Sequence, residues 1–175
     1  GRVSKEKDLE RLDHVMQLVR AELGDVHLAI VGDGPFLEEL KASFDPSYTT
    51  FTGYLSGEEL AAAFAVGDVF LFPSATETLG LVALESFASG VPVIGTRAGG
   101  IPFVIEEGVT GHLIDADADD AAWADAAVSL LRDPSRRSEM GAAARREAEK
   151  YSWVESTHAL LAAYEEAIEH PYRRD

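Results

Sequence analysis

The sequence predicts an α/β fold: a doubly wound parallel sheet closed by a C-terminal helical tail. Three observations carry that expectation. Short apolar, β-branched or aromatic runs at Val26–Val31, Thr49–Thr52, Asp68–Phe72, Val91–Gly95 and Gly111–Asp115 alternate with segments of helical periodicity. Several runs end on glycine turns, Gly32–Gly34, Gly53 and Gly99–Gly100, as a chain does when it leaves a strand end. From Asp119 onward the pattern is helical only. Strand, loop, helix, strand is the unit that builds a parallel sheet.

Gly1–Lys7, GRVSKEK, reads as a loop. Asp8–Leu23 reads as a helix, with Leu9, Leu12, Val15, Met16, Val19 and Leu23 on one face. After the strand at Val26–Val31, Gly32-Asp33-Gly34-Pro35 turns the chain into a helix that runs to about Phe44, with Pro35 at its first position. Ser56 and Glu59 form a capping-box signature for a helix to about Val66. A helix from near Leu79 to Gly90 follows the third strand, and Ile101–Glu106 reads as a short helix after the fourth. The tail divides into Asp119–Leu131, Ser135–Lys150 and Ser152 to about Glu169, separated at Asp133-Pro134 and Tyr151-Ser152. A doubly wound domain normally opens on a strand, and this one opens on a loop. Either a first strand is left off, or the sheet is one strand short.

The stretch Ser74–Gly100, SATETLGLVALESFASGVPVIGTRAGG, carries the chemistry. Backbone N–H groups at a helix start lack intrahelical partners and carry the positive end of the dipole, so Leu79, Gly80 and Leu81 offer an anion site. Gly80 lets a ligand approach the backbone closely. Glu85 lies roughly 9 Å further along the axis, its side chain leaning back toward the N-terminus. It shares the Val82 and Ser89 stripe, whereas Leu81, Leu84 and Ala88 are expected to face the core. A phosphate-friendly helix start is thus flanked by two carboxylates, Glu77 and Glu85, which suits a ligand whose sugar hydroxyls need acceptors. On spacing alone, a loop acid and a solvated helix residue explain the pair equally well.

Composition narrows the classes. One core fits in 175 residues, and 46% of them are apolar, which excludes disorder. No apolar run reaches the ~20 residues of a membrane span. With no cysteine there is no disulfide frame, and a cytoplasmic setting is expected. The opening Gly1-Arg2, without methionine, suggests a piece of a longer protein. A formal charge of −16 argues against nucleic acid and anionic lipid as partners. An anionic ligand must therefore be held by local donors, and Arg2 and Lys7 are cations in the opening loop that could meet the anion site.

Other signals weigh less. Gly32-Asp33-Gly34 lacks the third glycine and the later acid of a dinucleotide fingerprint. Asp115-x-Asp117-x-Asp119 lacks the glycine and terminal glutamate of a calcium loop and reads as a solvated helix start. The five histidines share no ligand spacing, no nucleophile elbow accompanies Ser74, Ser86 or Ser89, and Trp123 and Trp153 sit in helical stripes as packing residues. No metal site is expected.

Taken together, GRVSKEK, VGDGP, FTGYLSGEEL, GDVFLFPSATETLGLVALESFASGVPVIGTRAGGIP and the GVTGHLID stretch at Gly108–Asp115 resemble the C-terminal half of a retaining glycosyltransferase. The resemblance is to family four, of the two-Rossmann-domain (GT-B) type, and covers most of the chain. The run Phe51–Pro102 is especially similar to the sulfoquinovosyltransferases that make sulfolipid, though related mannosyl- and glucosyltransferases share much of it.

The resemblance implies that residues 1–175 form a single Rossmann-like, nucleotide-sugar-binding domain. Arg2 and Lys7 match the pair that neutralises the donor diphosphate, and Gly80 and Leu81, with Thr78 and Leu79 beside them, match the phosphate-binding turn. Glu85 matches the acid on the ribose hydroxyls, Glu77 the acid beside the donor sugar, and Gly53 and Tyr54 the base-side wall. It implies a UDP-sugar donor, with a GDP-mannose donor as the alternative. It also implies a lipid or saccharide acceptor, an N-terminal acceptor domain outside these residues, and no cofactor or metal beyond the nucleotide-sugar. Peripheral membrane attachment of the full-length enzyme is compatible with it. The isolated chain is expected to be inactive. A non-catalytic nucleotide-binding module is a second reading and an epimerase a third. One departure stands out: Phe103 replaces the usual acid after Ile101-Pro102.

Overall fold

A computed structural model describes residues 1–170. Five strands alternate with four helices, and three further helices follow. In order they are α1 (Arg11–Leu23), β1 (Leu28–Val31), α2 (Leu37–Ser43), β2 (Thr49–Gly53), α3 (Gly57–Val66), β3 (Phe70–Phe72), α4 (Leu81–Ala88), β4 (Val93–Thr96), β5 (Gly111–Ile114), α5 (Asp120–Arg132), α6 (Pro134–Ala148) and α7 (Trp153–Glu169). Short 3-10 turns lie at Lys5–Lys7 and Ile101–Phe103.

Every strand pairing is parallel, as the alternating order dictates. The strands divide into two sheets, β1–β2 and β3–β4–β5, rather than one. Gly53 pairs with Val31 across a register shift, and Leu28–Ile30 pair with Thr49–Phe51. In the second sheet Phe70–Phe72 pair with Val93–Gly95, and Val93–Thr96 with Gly111–Ile114.

The core has three parts. Val3, Leu12, Ile30, Phe36, Leu37, Leu40 and Phe44 fill the space between α1, α2 and β1. Val15, Val19, Ile94, Trp123, Ala127 and Leu130 seat α1 and α5 on β4. Phe72, Ala83, Leu84, Phe87, Val93, Ile101 and Ala144 bury α4 between the opposite sheet face and α6. Trp123 is fully buried, with the Arg11 guanidinium 5.6 Å from its ring centre.

Several local expectations are corrected. The first helix begins at Arg11, because Lys5–Lys7 forms its own turn, closed by Asp8 in the left-handed region. Pro35 precedes α2 instead of opening it, since Phe36 donates to Val3 O and occupies the N-cap. Ser56 does cap α3, but its side chain makes no capping bond. The buried residues of α4 are Ala83, Leu84, Ser86 and Phe87, while Leu81 and Ala88 are exposed. Phe87, the bulkiest apolar side chain of the helix, sets that rotation. Trp153 is 90% exposed and packs no core. Asp119, Asp133 and Ser152 cap their helices through side-chain oxygens. No helix among the described residues is long and apolar enough to cross a membrane.

Candidate donor site at the strand ends

Parallel strands bring all their C-terminal ends to one edge of a sheet, and the loops leaving them gather there. Here those loops are the turn after Val31, Gly53-Tyr54 after β2, Ser74–Gly80 after β3 and Arg97–Gly100 after β4. The opening segment joins them: the Gly1 ammonium donates to Val31 O at 2.8 Å, and Val3 N–H to Asp33 O at 2.9 Å. Its buried Val3 and Ser4 anchor the turn that presents Lys7.

α4 opens at Gly80, whose φ of +73° is a left-handed conformation suited to glycine. The N–H groups of Ala83 and Leu84 both go to Gly80 O, at 2.9 and 3.4 Å. That leaves Leu81 and Val82 as the helix-start amides without an intrahelical acceptor. The expected anion donors therefore move along the chain: Leu79 lies in the turn before the helix, and Leu81, exposed at the first helical position, stays among them.

The loop carrying Glu77 is fixed from beneath. Gly100 N–H donates to Glu77 O at 2.7 Å. A Cβ at Gly99 would sit 2.4 Å from Glu77 O, and one at Gly100 would sit 2.1 Å from Thr78 O. Only glycines allow that approach. Lys7 reaches across from the opening segment, and its ammonium pairs with the Glu77 carboxylate, both side chains being largely buried.

Glu85, exposed on α4, faces the same segment. Burial lowers the pKa of the Gly1 ammonium below its ordinary 8.0, the Glu85 charge opposes that shift, and the Lys7 charge adds to it. Lys7 thus pairs with Glu77, and the charges of Lys7 and Glu85 both act on the Gly1 ammonium. Arg2 is exposed at the same end. Gly53 O accepts from Gly32 N–H at 2.9 Å, tying the ends of β1 and β2 together, and Tyr54 is 75% exposed beyond it. Thr78 and Leu79 are exposed on the loop, as is Phe103 at 85%.

Sequence reasoning missed three features. The pairing of Lys7 with Glu77 links residues far apart in the chain, and no local spacing announces it. The support of the Glu77 loop by Gly99-Gly100 was visible only as a glycine turn. Ser74 and Thr96, at the ends of β3 and β4, have buried hydroxyls without a partner among the described residues. Their position just past two strand ends was the available signal.

A separate shallow hollow of about 300 Å³ is lined by residues including Glu107, His112, Asp125 and Arg136, and none of the site residues above borders it. There Glu107 accepts from the His112 ring at 2.7 Å and from Leu113 N–H at 2.7 Å. Burial pushes its carboxyl up, but these bonds and the charges of His112 and Arg97 outweigh burial and hold it below the ordinary 4.5.

The chain is 45% identical over 161 residues to the sulfoquinovosyl transferase SQD2 of Arabidopsis thaliana, covering 90% of this chain and 30% of that protein. It is 39% identical over 168 residues to a GDP-mannose-dependent alpha-mannosyltransferase of Corynebacterium glutamicum, covering 96% and 39%. The sucrose-phosphate synthase structure from Thermosynechococcus elongatus superposes with a TM-score of 0.83 at 28% identity, over 97% of this chain and 44% of that one. Anabaena HepE, solved with UDP, superposes at 0.81 and 21% identity, over 94% and 47%. The chain therefore spans between 30% and 47% of the length of these proteins. The family model described as "Glycosyl transferases group 1" matches residues 1–133. This chain belongs to the group 1 glycosyl transferases.

Proposed function

We propose that this chain is the donor-binding domain of a retaining glycosyltransferase, taking a sugar from a UDP-sugar to a lipid or saccharide acceptor held by an N-terminal domain. The observation that carries the reading is the convergence of Lys7, Glu77 and Glu85 on the start of α4. The Leu81 and Val82 amides, Lys7 and Arg2 receive the diphosphate, and their positive charge meets the charge that develops there as the sugar leaves. Glu85 accepts from the ribose hydroxyls. Glu77, once the diphosphate competes for Lys7, accepts from the donor sugar and holds it in reactive geometry. Gly53 and Tyr54 border the base. These cations and amides neutralise the phosphates, so the reading requires no metal.

The 39% identity to a GDP-mannose-dependent enzyme keeps a guanine donor as the second reading. Calorimetric titration with UDP, GDP and ADP, repeated on Glu85→Ala and Lys7→Ala, separates them. Preferential UDP binding, weakened by both substitutions and unchanged by EDTA, is the expected result. Preferential GDP binding would install the second reading. Nucleotide binding indifferent to both substitutions would overturn the site. The 175 residues alone are expected to bind donor without catalysing transfer, and glycosyl transfer by this chain by itself would contradict that expectation.

A further inference from the structure

We propose that Arg11 is a positioning residue for donor binding, a role that rests on the donor reading above, in which Lys7 receives the diphosphate. Seated on Trp123 between the Asp8 and Asp120 carboxylates, Arg11 holds the left-handed turn that aims Lys7 at Glu77.

Two features of this segment are unfavourable when taken alone. Asp8, at φ +52° and ψ +37°, is the one non-glycine residue with a positive φ among the described residues. A Cβ disfavours that conformation, although aspartate tolerates it better than most residues. Arg11 is the first residue of α1, at the end of a helix that repels a cation. Such costs persist where surrounding contacts enforce them, and here the two residues supply the contact to each other. Arg11 Nε lies 3.1 Å from Asp8 Oδ2 and 3.3 Å from Asp120 Oδ1, as charge contacts rather than aligned hydrogen bonds.

The anchor beneath is firm. The Arg11 side chain is largely buried, and its guanidinium lies 5.6 Å from the centre of the Trp123 ring. Trp123 is itself fully buried in the core between α1 and α5. Asp120 opens α5, where a carboxylate suits the helix dipole, and its other oxygen is 2.9 Å from His14 Nδ1. So α5 fixes Asp120 and Trp123, these fix Arg11, and Arg11 fixes the Asp8 carboxylate. Asp8 N–H closes the turn onto Lys5 O, and Lys7 N–H closes it onto Ser4 O, both at 3.1 Å. Lys7 is joined to α1 through the Asp8 dihedrals, and a change in them re-aims its ammonium away from Glu77.

The test follows the Lys7 ammonium resonance in the nucleotide-free chain, identified by its loss in Lys7→Ala, together with UDP affinity. Asp8→Ala removes the carboxylate and keeps a Cβ, whereas Asp8→Gly removes the carboxylate and also makes a positive φ acceptable. Asp8→Ala and Arg11→Met are each expected to broaden the ammonium signal beyond detection and to weaken UDP binding about fivefold. Asp8→Gly is expected to keep the signal and to bind UDP within about twofold of the parent, with no further loss when Arg11→Met is added. In Lys7→Ala, neither Asp8→Ala nor Arg11→Met should weaken binding further. A merely structural role would lower thermal stability without this dependence on background. Survival of the ammonium signal in Asp8→Ala, similar UDP binding by the two Asp8 variants, or undiminished effects in Lys7→Ala would overturn the proposal. If the parent chain does not bind UDP, the donor reading fails, and the ammonium signal still decides the role of Arg11. If Arg11→Met does not fold, the contrast between Asp8→Ala and Asp8→Gly carries the same decision.

Discussion

Lys7 is neutralised by Glu77 in the free domain, so a diphosphate must take the ammonium away from a carboxylate. That competition separates the two acids by experiment. Glu77→Gln frees Lys7 and should tighten UDP binding several-fold, whereas Lys7→Ala should weaken it about tenfold, ~1.4 kcal/mol. With a UDP-sugar the gain from Glu77→Gln should shrink, because the sugar loses its acceptor. Titration of both variants with both ligands reads this directly, and weaker UDP binding in Glu77→Gln would refute the competition. Gly100 acts at the same scale through the backbone. Gly100→Ala drives a Cβ onto Thr78 O and should cost about 1–3 kcal/mol of stability, with loss of nucleotide binding as the Glu77 loop shifts. Thermal unfolding and the UDP titration together check it. Both acids stood out in the sequence by their spacing around a helix start. Their cationic partner did not, because Lys7 reaches Glu77 only once the strands have brought the opening turn to their ends.

Among the elements, α5 holds α1 on the second sheet through Trp123, and Trp123→Ala should cost about 3–5 kcal/mol in urea unfolding. The loop before β5 makes a pH-dependent contribution. Glu107 is held below its ordinary pKa by His112, Leu113 N–H and Arg97, despite the opposing effect of burial. Its contribution is present above the ordinary value of 4.5 and is lost as pH falls through the lower folded value. Glu107→Gln should therefore destabilise the domain at pH 7 and by progressively less as pH falls below the ordinary 4.5, measured by unfolding across that range. Element order and type were legible because each strand run is short, apolar and followed by turn residues. Edges were less legible. The opening of α4 depends on where Gly80 adopts its left-handed conformation, and its buried face depends on Phe87 meeting α6, a contact between distant segments. Trp153 illustrates the limit of periodicity: a helical stripe reveals an apolar face but not whether anything covers it.

In the whole molecule, parallel pairing sends the turns after β1 and β2 to one edge of the first sheet and those after β3 and β4 to one edge of the second, and the pairing of Lys7 with Glu77 links the opening segment to the second. The opening on a loop was also legible. The division into two sheets was not, because it depends on β1 and β3 having no common neighbour among the described residues. Against a net charge of −16, the opening segment carries Arg2 and Lys7. The most direct measurement is a map of backbone amide shifts across residues 1–170 as UDP is added. The largest changes are expected at Lys7, Gly80, Leu81, Val82 and Glu85, with smaller ones at Gly53 and Tyr54. Changes concentrated instead around Glu107, His112 and Arg136, with the start of α4 unmoved, would contradict the donor-site reading.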